Sequence, residues 1–176
     1  MNGTASGGAD AVGDDPVVTD GECRVWLAEG GSDDNDGSEA NPMGTLQGAY
    51  DKVCPKPASG TDNGAICEGP APRTLCIKSG IYQVDERFEF KKTRMGEEDN
   101  RVIVMGDPNS SEKPVLDFSG QPRVGCGDNP GDGNLGCITI NAWYVTVKDV
   151  EITGANDNCI LLQGYEGLVE NVAVHD

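Results

Sequence analysis

Residues 138–153 read ITINAWYVTVKDVEIT, and residues 160–175 read ILLQGYEGLVENVAVH. The two stretches align without a gap at an offset of 22, so that Val147 meets Val169 and Val150 meets Val172. In both copies apolar and polar positions alternate up to the first of these valines. Two consecutive polar residues then precede the second valine, and the alternation resumes after it. A skip that recurs one repeat later indicates a corner, where the chain turns and the inward-facing positions change parity.

This offset distinguishes between all-β architectures. It lies within the range of about 20–45 residues that stacked-repeat proteins use. Hairpin neighbours in a sandwich run antiparallel and would not produce an ungapped direct repeat. We therefore predict a parallel β solenoid with coils of about 22 residues, in which Ile138 lies over Ile160 and Val150 over Val172 at the ~4.8 Å spacing of adjacent strands.

The earlier part of the chain contains one helical pattern and several short β runs. Apolar residues with helical spacing occur at Leu46, Ala49, Tyr50 and Val53, with Thr45 as N-cap and prolines 55 and 57 as the stop. The predicted β runs are 74–77, 81–84, 88–90, 101–105, 115–118, 137–140, 144–147, 150–153, 159–162 and 168–175. Turn-rich segments separate them, and no crossover helix lies between them, which excludes a βαβ sheet.

Composition excludes other classes of protein. The 176 residues suffice for one domain with a real core. Thirty acidic residues against 13 basic ones give a net charge of −17, which disfavours nucleic-acid partners and anionic membranes. No apolar run approaches the ~18–20 residues of a membrane span. Residues 1–20 are small, polar and acidic and are predicted to be a flexible tail, so the β domain comprises residues 21–176.

The cysteines indicate the redox state of the compartment in which the protein folds. Seven are scattered along the chain without a CxxC pair, and there is one histidine, so zinc-site spacing is absent. Scattered cysteines in an acidic chain are typical of disulfides in an oxidising compartment. We expect an extracellular or cell-surface protein whose signal peptide is absent from this chain. Cys126 and Cys137 bracket a Gly-, Asp- and Asn-rich loop, and we predict that they are paired.

Several segments resemble extracellular right-handed parallel β-helix proteins, most of all the family 9 polysaccharide lyases (pectate lyase-like) and their uncharacterised relatives. The opening reads VWLAEGGSDDNDG at 25–37 and NPMGTLQGA at 41–49. The segment LCIKSGIY at 75–82 is similar to their first coil, and residues 138–176 are similar to their later coils. The resemblance implies an N-terminal cap with a short helix (21–70) followed by the first coils (71–176).

The resemblance also implies a chemistry. Such lyases remove a proton next to a uronate carboxylate, with Ca²⁺ stabilising the developing charge and a basic residue as the base. Their calcium carboxylates and base lie on coils beyond the segment that corresponds to 172–176. We therefore expect this chain to be the front part of a longer solenoid that lacks the main catalytic coils.

Candidate residues for that chemistry lie in the repeat. The offset places Lys148 under Glu170 and Asp149 under Asn171. Lys148 is the candidate base, and the candidate calcium ligands are Asp149, Glu151, Asp157 and Asp176. The alternative is that these are solvated outward positions, with Lys148 paired to Glu170 and His175 an ordinary polar strand residue.

Other candidates concern polysaccharide binding. Trp143 and Tyr144 lie at a corner above Tyr165, where the rings either stack on sugars or pack on neighbouring coils. The basic residues Arg87, Lys91, Lys92, Arg94 and Arg101 are candidates for an anionic polysaccharide, but acidic residues 97–99 predict a mixed-charge loop. Residues 33–37 lack the glutamate of an EF-hand and are predicted to form an Asx-stabilised turn.

Two functions follow from these observations. The first is a calcium-dependent lyase acting on uronate polymers. The second is a non-catalytic structural or glycan-binding module of a larger surface protein. For the isolated chain we expect the second, with polysaccharide as the partner.

Overall fold

A computed structural model describes residues 22–56, 64–121, 137–155 and 158–175. These residues form one helix, α1 (Leu46–Val53), and twelve short strands. The strands are β1 (Val25–Leu27), β2 (Arg73–Ile77), β3 (Ile81–Gln83), β4 (Phe88–Phe90), β5 (Val102–Gly106), β6 (Val115–Asp117), β7 (Ile138–Ile140), β8 (Val145–Lys148), β9 (Glu151–Thr153), β10 (Ile160–Leu162), β11 (Leu168–Glu170) and β12 (Ala173–His175). The protein is mostly β with very little helix, as predicted.

The strands form three parallel sheets that the chain visits in turn. Sheet 1 has the order β1-β2-β5-β8-β11, sheet 2 the order β12-β9-β6-β3, and sheet 3 the order β10-β7-β4. From β2 onward, each strand pairs with the strand three positions later in the chain, and every pairing is parallel. Successive turns of the chain therefore stack in parallel register.

The predicted repeat is confirmed in all three sheets. Ile138 pairs with Ile160, Thr146 with Leu168, and Glu151 with Ala173, each at the offset read from the sequence. Since Val150 and Val172 immediately precede the last pair, they follow the same offset. The stacking that was read from two stretches of sequence is the register of the last two coils.

The predicted corner lies between sheets 1 and 2. Asp149 and Asn171 adopt left-handed backbone conformations with φ of 56° and 51°. A left-handed residue interrupts the alternation of inward and outward side chains. This explains why the inward-facing valines are three residues apart there and not two. The predicted single run at 168–175 is wrong for this reason, because Asn171 divides it into β11 and β12.

The core is a set of aliphatic ladders between the three sheets. Leu75, Val104 and Val147 pair in sheet 1, and Leu116 and Ile152 pair in sheet 2; all are almost completely buried. Burying one such side chain stabilises the fold by about 1.5–3 kcal/mol. The equivalent residues of the last coil are far more exposed: Val174 is 51% exposed, whereas Ile152 is fully buried.

The helix covers the first end of the ladders. Its four predicted apolar residues are buried, and the Tyr50 ring meets Phe88 and Phe90 edge to face at 5.4 and 5.2 Å. Thr45 is the N-cap, as predicted, and its Oγ1 accepts a hydrogen bond from the Gly48 N–H. The spacing of apolar residues in the sequence therefore positions the cap correctly.

The acidic turn before the helix fixes the helix start. Asp36 Oδ1 accepts a hydrogen bond from the Ser38 N–H, which confirms the Asx-stabilised turn. Asp33 Oδ1 accepts the Gly44 and Thr45 N–H groups, and Thr45 Oγ1 donates to Asp33 Oδ2 at 2.6 Å. Burial alone would raise the pKa of Asp33, but these hydrogen bonds lower it.

Among the described residues, one disulfide joins the segment before β1 to β2, and another joins the end of α1 to the loop before β2. Cys23 pairs with Cys76 on β2, and Cys54, the C-cap of α1, pairs with Cys67. Of the pair predicted from sequence, Cys137 is buried and Cys126 lies outside the described residues. The predicted tail 1–20 also lies outside them. Within the described ranges, no helix is long and apolar enough to cross a membrane.

Candidate functional site

Three aromatic side chains meet at the turn from sheet 3 to sheet 1. Trp143 and Tyr144 lie between β7 and β8, and Tyr165 lies between β10 and β11. The Tyr165 ring centroid is 5.8 Å from that of Trp143 and 6.2 Å from that of Tyr144. Trp143 is 45% exposed and Tyr165 59% exposed, so both rings face solvent while contacting each other. We call these three residues the aromatic cluster.

The repeat itself builds this cluster. Trp143 and Tyr165 occupy equivalent positions in the last two coils. Tyr144 and the equivalent Glu166 share left-handed conformations, with φ of 54° and 56°. The chain approaches closely at this turn: a Cβ at Gly164 would lie 1.9 Å from the Ala142 carbonyl oxygen, so glycine is required there.

Arg101 holds the same turn together across three coils. Its Nε donates to Thr146 Oγ1 at 2.9 Å, and its guanidinium also donates to the Val145 and Glu166 carbonyl oxygens. The guanidinium carbon lies 5.8 Å from the centre of the Tyr144 ring. Arg101 therefore has a structural role, whereas the sequence analysis grouped it with basic residues that could bind an anionic polysaccharide.

The basic group predicted from sequence does not form one patch. Arg94 is buried and paired with Asp51, and Arg87 is paired with Glu89 at 3.3 Å. Lys91 and Lys92 are exposed. Acidic side chains therefore pair with two of the arginines, but these are Asp51 and Glu89 and not the acidic residues 97–99 on which the mixed-charge interpretation rested.

Two carboxylates act on the aromatic cluster through Tyr144. Desolvation raises the pKa of Tyr144, and the negative charges of Glu98 and Glu166 add to the rise, whereas Arg101 opposes it. Both glutamates are exposed. The surface around the rings is therefore acidic.

The described members of the predicted calcium set lie at the corner between sheets 1 and 2. Asp149 Oδ1 accepts a 2.6 Å hydrogen bond from Asn171 Nδ2, and Glu151 Oε1 lies 2.6 Å from His175 Nε2. Asp157 and Asp176 lie outside the described residues. Across the described ranges, no group of three or more metal-ligating side chains forms. Asp149 and Glu151 alone therefore do not fit a calcium site.

Lys148 lies beside these carboxylates at the end of β8. The register pairs it with Glu170, as the sequence predicted. The ion pairs within the described residues do not include one between these two side chains. The expected ion-pair role of Lys148 is therefore not found, and its role as a base stays a prediction.

A cavity that the sequence did not reveal lies between the cap and sheet 2. Its volume is about 640 Å³, and its walls are formed by residues 29–30, 44–47 and 81–88. Glu29 bridges the walls, because its Oε1 accepts the Ile81 N–H at 3.0 Å. The pattern of apolar residues carries no signal for it, since its walls come from segments that are distant in the sequence and meet only in the folded chain.

Comparison with known proteins identifies a similar protein. The chain is 30% identical over 105 residues to Pectate lyase L of Paenibacillus polymyxa (strain SC2). The chain is similar to a pectate lyase. The aligned part covers 58% of this chain and 21% of that protein, so the chain spans about a fifth of the length of the curated relative. No family model and no solved structure matches the chain. These findings support a pectate-lyase-like relationship.

Proposed function

We propose that the chain forms coils of a right-handed parallel β-helix in a secreted or cell-surface protein that binds polysaccharide through the aromatic cluster. Three parallel sheets visited in turn, with a constant offset in the last coils, support the β-helix. The similarity to Pectate lyase L supports a polysaccharide as the ligand. Two disulfides support an extracellular location.

The aromatic cluster carries this proposal. Monomeric proteins bury most large aromatic side chains, yet Trp143 and Tyr165 are each about half exposed and lie against each other. The C–H face of a sugar ring is apolar and packs on such rings, while its hydroxyls stay hydrated. The two rings belong to successive coils and are inclined at 62° to each other, so that two exposed rings lie side by side along the stack.

A second candidate function is elimination on uronate polymers, which the similarity to Pectate lyase L favours. Lys148 is the proposed base, with Asp149, Glu151, Asp157 and Asp176 as the proposed calcium ligands. The described carboxylates do not form a calcium site by themselves, so no step is assigned to a metal ion. We therefore place binding before catalysis for residues 1–176.

Tryptophan fluorescence tests the binding proposal. The chain has two tryptophans, and Trp26 is 6% exposed, so the variant Trp26→Phe leaves Trp143 as the only reporter. We expect pectic polymers to change the emission of Trp143 and to protect it from acrylamide. The double variant Trp143→Ala/Tyr165→Ala should bind at least about tenfold more weakly in calorimetry.

The matched control is Val174→Ala, which removes an exposed apolar side chain from sheet 2. It should leave affinity unchanged. Equal losses in the control and in the double variant, or no binding of pectic polymers by the parent chain, would exclude the aromatic cluster as the binding surface.

A further inference from the structure

We propose that the aromatic cluster selects uncharged sugar rings, such as methyl-esterified uronate, over ionised uronate. This inference rests on the proposed binding of polysaccharide by that cluster and specifies which form of the polymer is bound. It follows from the charges that surround the rings, from how the neighbouring arginine is used, and from the acidity of the whole chain.

Two exposed carboxylates, Glu98 and Glu166, belong to the segments next to the rings. The Gly96 N–H donates to the Trp143 carbonyl oxygen and the Val102 N–H to the Tyr144 carbonyl oxygen, both at 3.0 Å. These hydrogen bonds hold the loop that contains Glu98 against the Trp143–Tyr144 turn. Glu166 follows Tyr165 directly in the chain. A sugar ring that stacks on Trp143 and Tyr165 therefore lies near both negative charges.

Arg101, the cation at this turn, is not free to pair with the carboxylate of a uronate. Arg101 donates to Thr146 Oγ1 and to the carbonyl oxygens of Val145 and Glu166. Its guanidinium is thus fixed against the backbone beneath the rings. A uronate carboxylate that paired with it would have to displace those hydrogen bonds.

Two lysines lie at the same turn one coil earlier. Lys91 and Lys92 directly follow β4, which pairs with β7, and both are exposed. Within the described residues neither forms an ion pair with Glu98 or Glu166. Because β4 pairs with β7 and not with β10, they lie one coil from Trp143 and two coils from Tyr165, and we expect them to contribute little to binding.

The same polymer backbone with and without charge tests the selectivity. The Trp26→Phe variant is titrated with polygalacturonate and with highly methyl-esterified homogalacturonan of similar length, at low salt and with a chelator present. We expect the esterified polymer to bind at least about tenfold more tightly. In 1 M salt, where the screening length falls to about 3 Å, the preference should shrink to about twofold.

Matched variants separate local charge from net charge. Glu98→Gln/Glu166→Gln should reduce the preference at low salt to about threefold or less. Glu39→Gln/Glu112→Gln removes the same charge from exposed turns elsewhere and should leave the preference unchanged. Lys91→Gln/Lys92→Gln should leave binding of the esterified polymer unchanged.

Each outcome decides the proposal. Tighter binding of polygalacturonate, with or without added calcium, overturns the selectivity but leaves the binding function standing. An equal effect of the two glutamate pairs assigns the preference to net charge and also overturns it. A loss of esterified-polymer binding in the lysine variant would place the binding site at the lysines and not on the rings, and would overturn the proposal. Failure of both polymers to bind removes the binding function as well.

Discussion

Asn171 Nδ2 donates a 2.6 Å hydrogen bond to the carboxylate of Asp149, the residue at the equivalent position one coil earlier. Both residues have left-handed backbones, and each divides a strand of sheet 1 from a strand of sheet 2. Lys113 Nζ donates to both the carbonyl oxygen and Oδ1 of Asn171. A short polar residue that tolerates a positive φ thus closes the same corner in both coils.

Substitutions at Asn171 should separate conformation from hydrogen bonding. Asn171→Gly keeps access to positive φ and loses the side-chain hydrogen bonds, whereas Asn171→Ala loses both. We expect Asn171→Ala to lower the free energy of unfolding by about 1–2 kcal/mol more than Asn171→Gly. Urea denaturation of both variants measures this difference. Equal losses would show that the backbone conformation contributes nothing.

The turn before α1 should make stability depend on pH. The pKa of Asp33 is lower in the folded chain than its ordinary value of 3.8, so its contribution is complete above that value and is lost as the pH falls through the folded pKa. We expect Asp33→Asn to cost roughly 0.5–1 kcal/mol at neutral pH and less below about pH 3.8. Denaturation from pH 3 to 8 measures the difference. Asp34→Asn removes the same charge at an exposed neighbouring residue and should cost less at neutral pH than Asp33→Asn; equal losses would contradict the role of Asp33.

Gly48 should resist a substitution that normally strengthens helices. Alanine at an exposed helical position is favoured over glycine by about 1 kcal/mol. Here a Cβ at Gly48 would lie 2.4 Å from Asp33 Cγ, so the carboxylate must leave its hydrogen bonds. We expect Gly48→Ala to destabilise the wild-type chain but to stabilise an Asp33→Ser variant. Thermal unfolding of the four chains tests this, and stabilisation in both backgrounds would contradict it.

Disulfide mapping tests the cysteine assignments. Peptide mass spectrometry of the protein purified without reductant should find the Cys23–Cys76 and Cys54–Cys67 links. It should also find Cys126 linked to Cys137, a pairing that would stabilise the intervening loop by ~2–3 kcal/mol. A link between Cys137 and Cys159, which occupy equivalent positions in successive coils, would instead refute the third pairing. Seven reduced thiols would contradict the extracellular assignment.

The isolated chain should not cleave polygalacturonate. Absorbance of the unsaturated product is followed near alkaline pH, with and without calcium, for the wild type and for Lys148→Ala. We expect no appreciable product in any arm, because a calcium-assisted elimination needs metal ligands and a base on several adjacent coils, whereas the clear sequence repeat supplies two. Calcium-dependent product that Lys148→Ala abolishes would establish a complete lyase and overturn the order of the two proposed functions.

The repeat made the strand register predictable. Apolar alternation and one skip, read from residues 138–175, determine which residues of the last two coils pair, since stacked coils bury equivalent positions. The helix was equally readable, because Leu46, Ala49, Tyr50 and Val53 share one face and Thr45 stands at the N-cap. Here local sequence and long-range packing specify the same structure.

The roles of the polar residues were not readable from sequence. Arg101 and Arg94 carry the same charge as surface residues, and only their positions in the fold direct them to carbonyl groups and to Asp51. The break at Asn171 depends on a φ that asparagine tolerates but does not require. The cavity between cap and sheet 2 depends on contacts between segments that are distant in the sequence. Such features follow from tertiary geometry and not from periodicity.

Arg101 and Lys113 each bind a residue that lies two coils later in the stack. Arg101 lies just before β5 and binds the carbonyl of Glu166, 65 residues later; Lys113 binds Asn171, 58 residues later. In most stacked-repeat proteins each unit contacts only its neighbours, and the ends fray independently. Here two long cations tie the coil that contains β11 to the coil that contains β5. Arg101 also binds Val145 and Thr146 in the coil between them, whereas Lys113 bonds directly to the last coil. Peeling away the last coil therefore also breaks contacts two layers down, and hydrogen exchange in β5, β8 and β11 should respond together when either cation is removed.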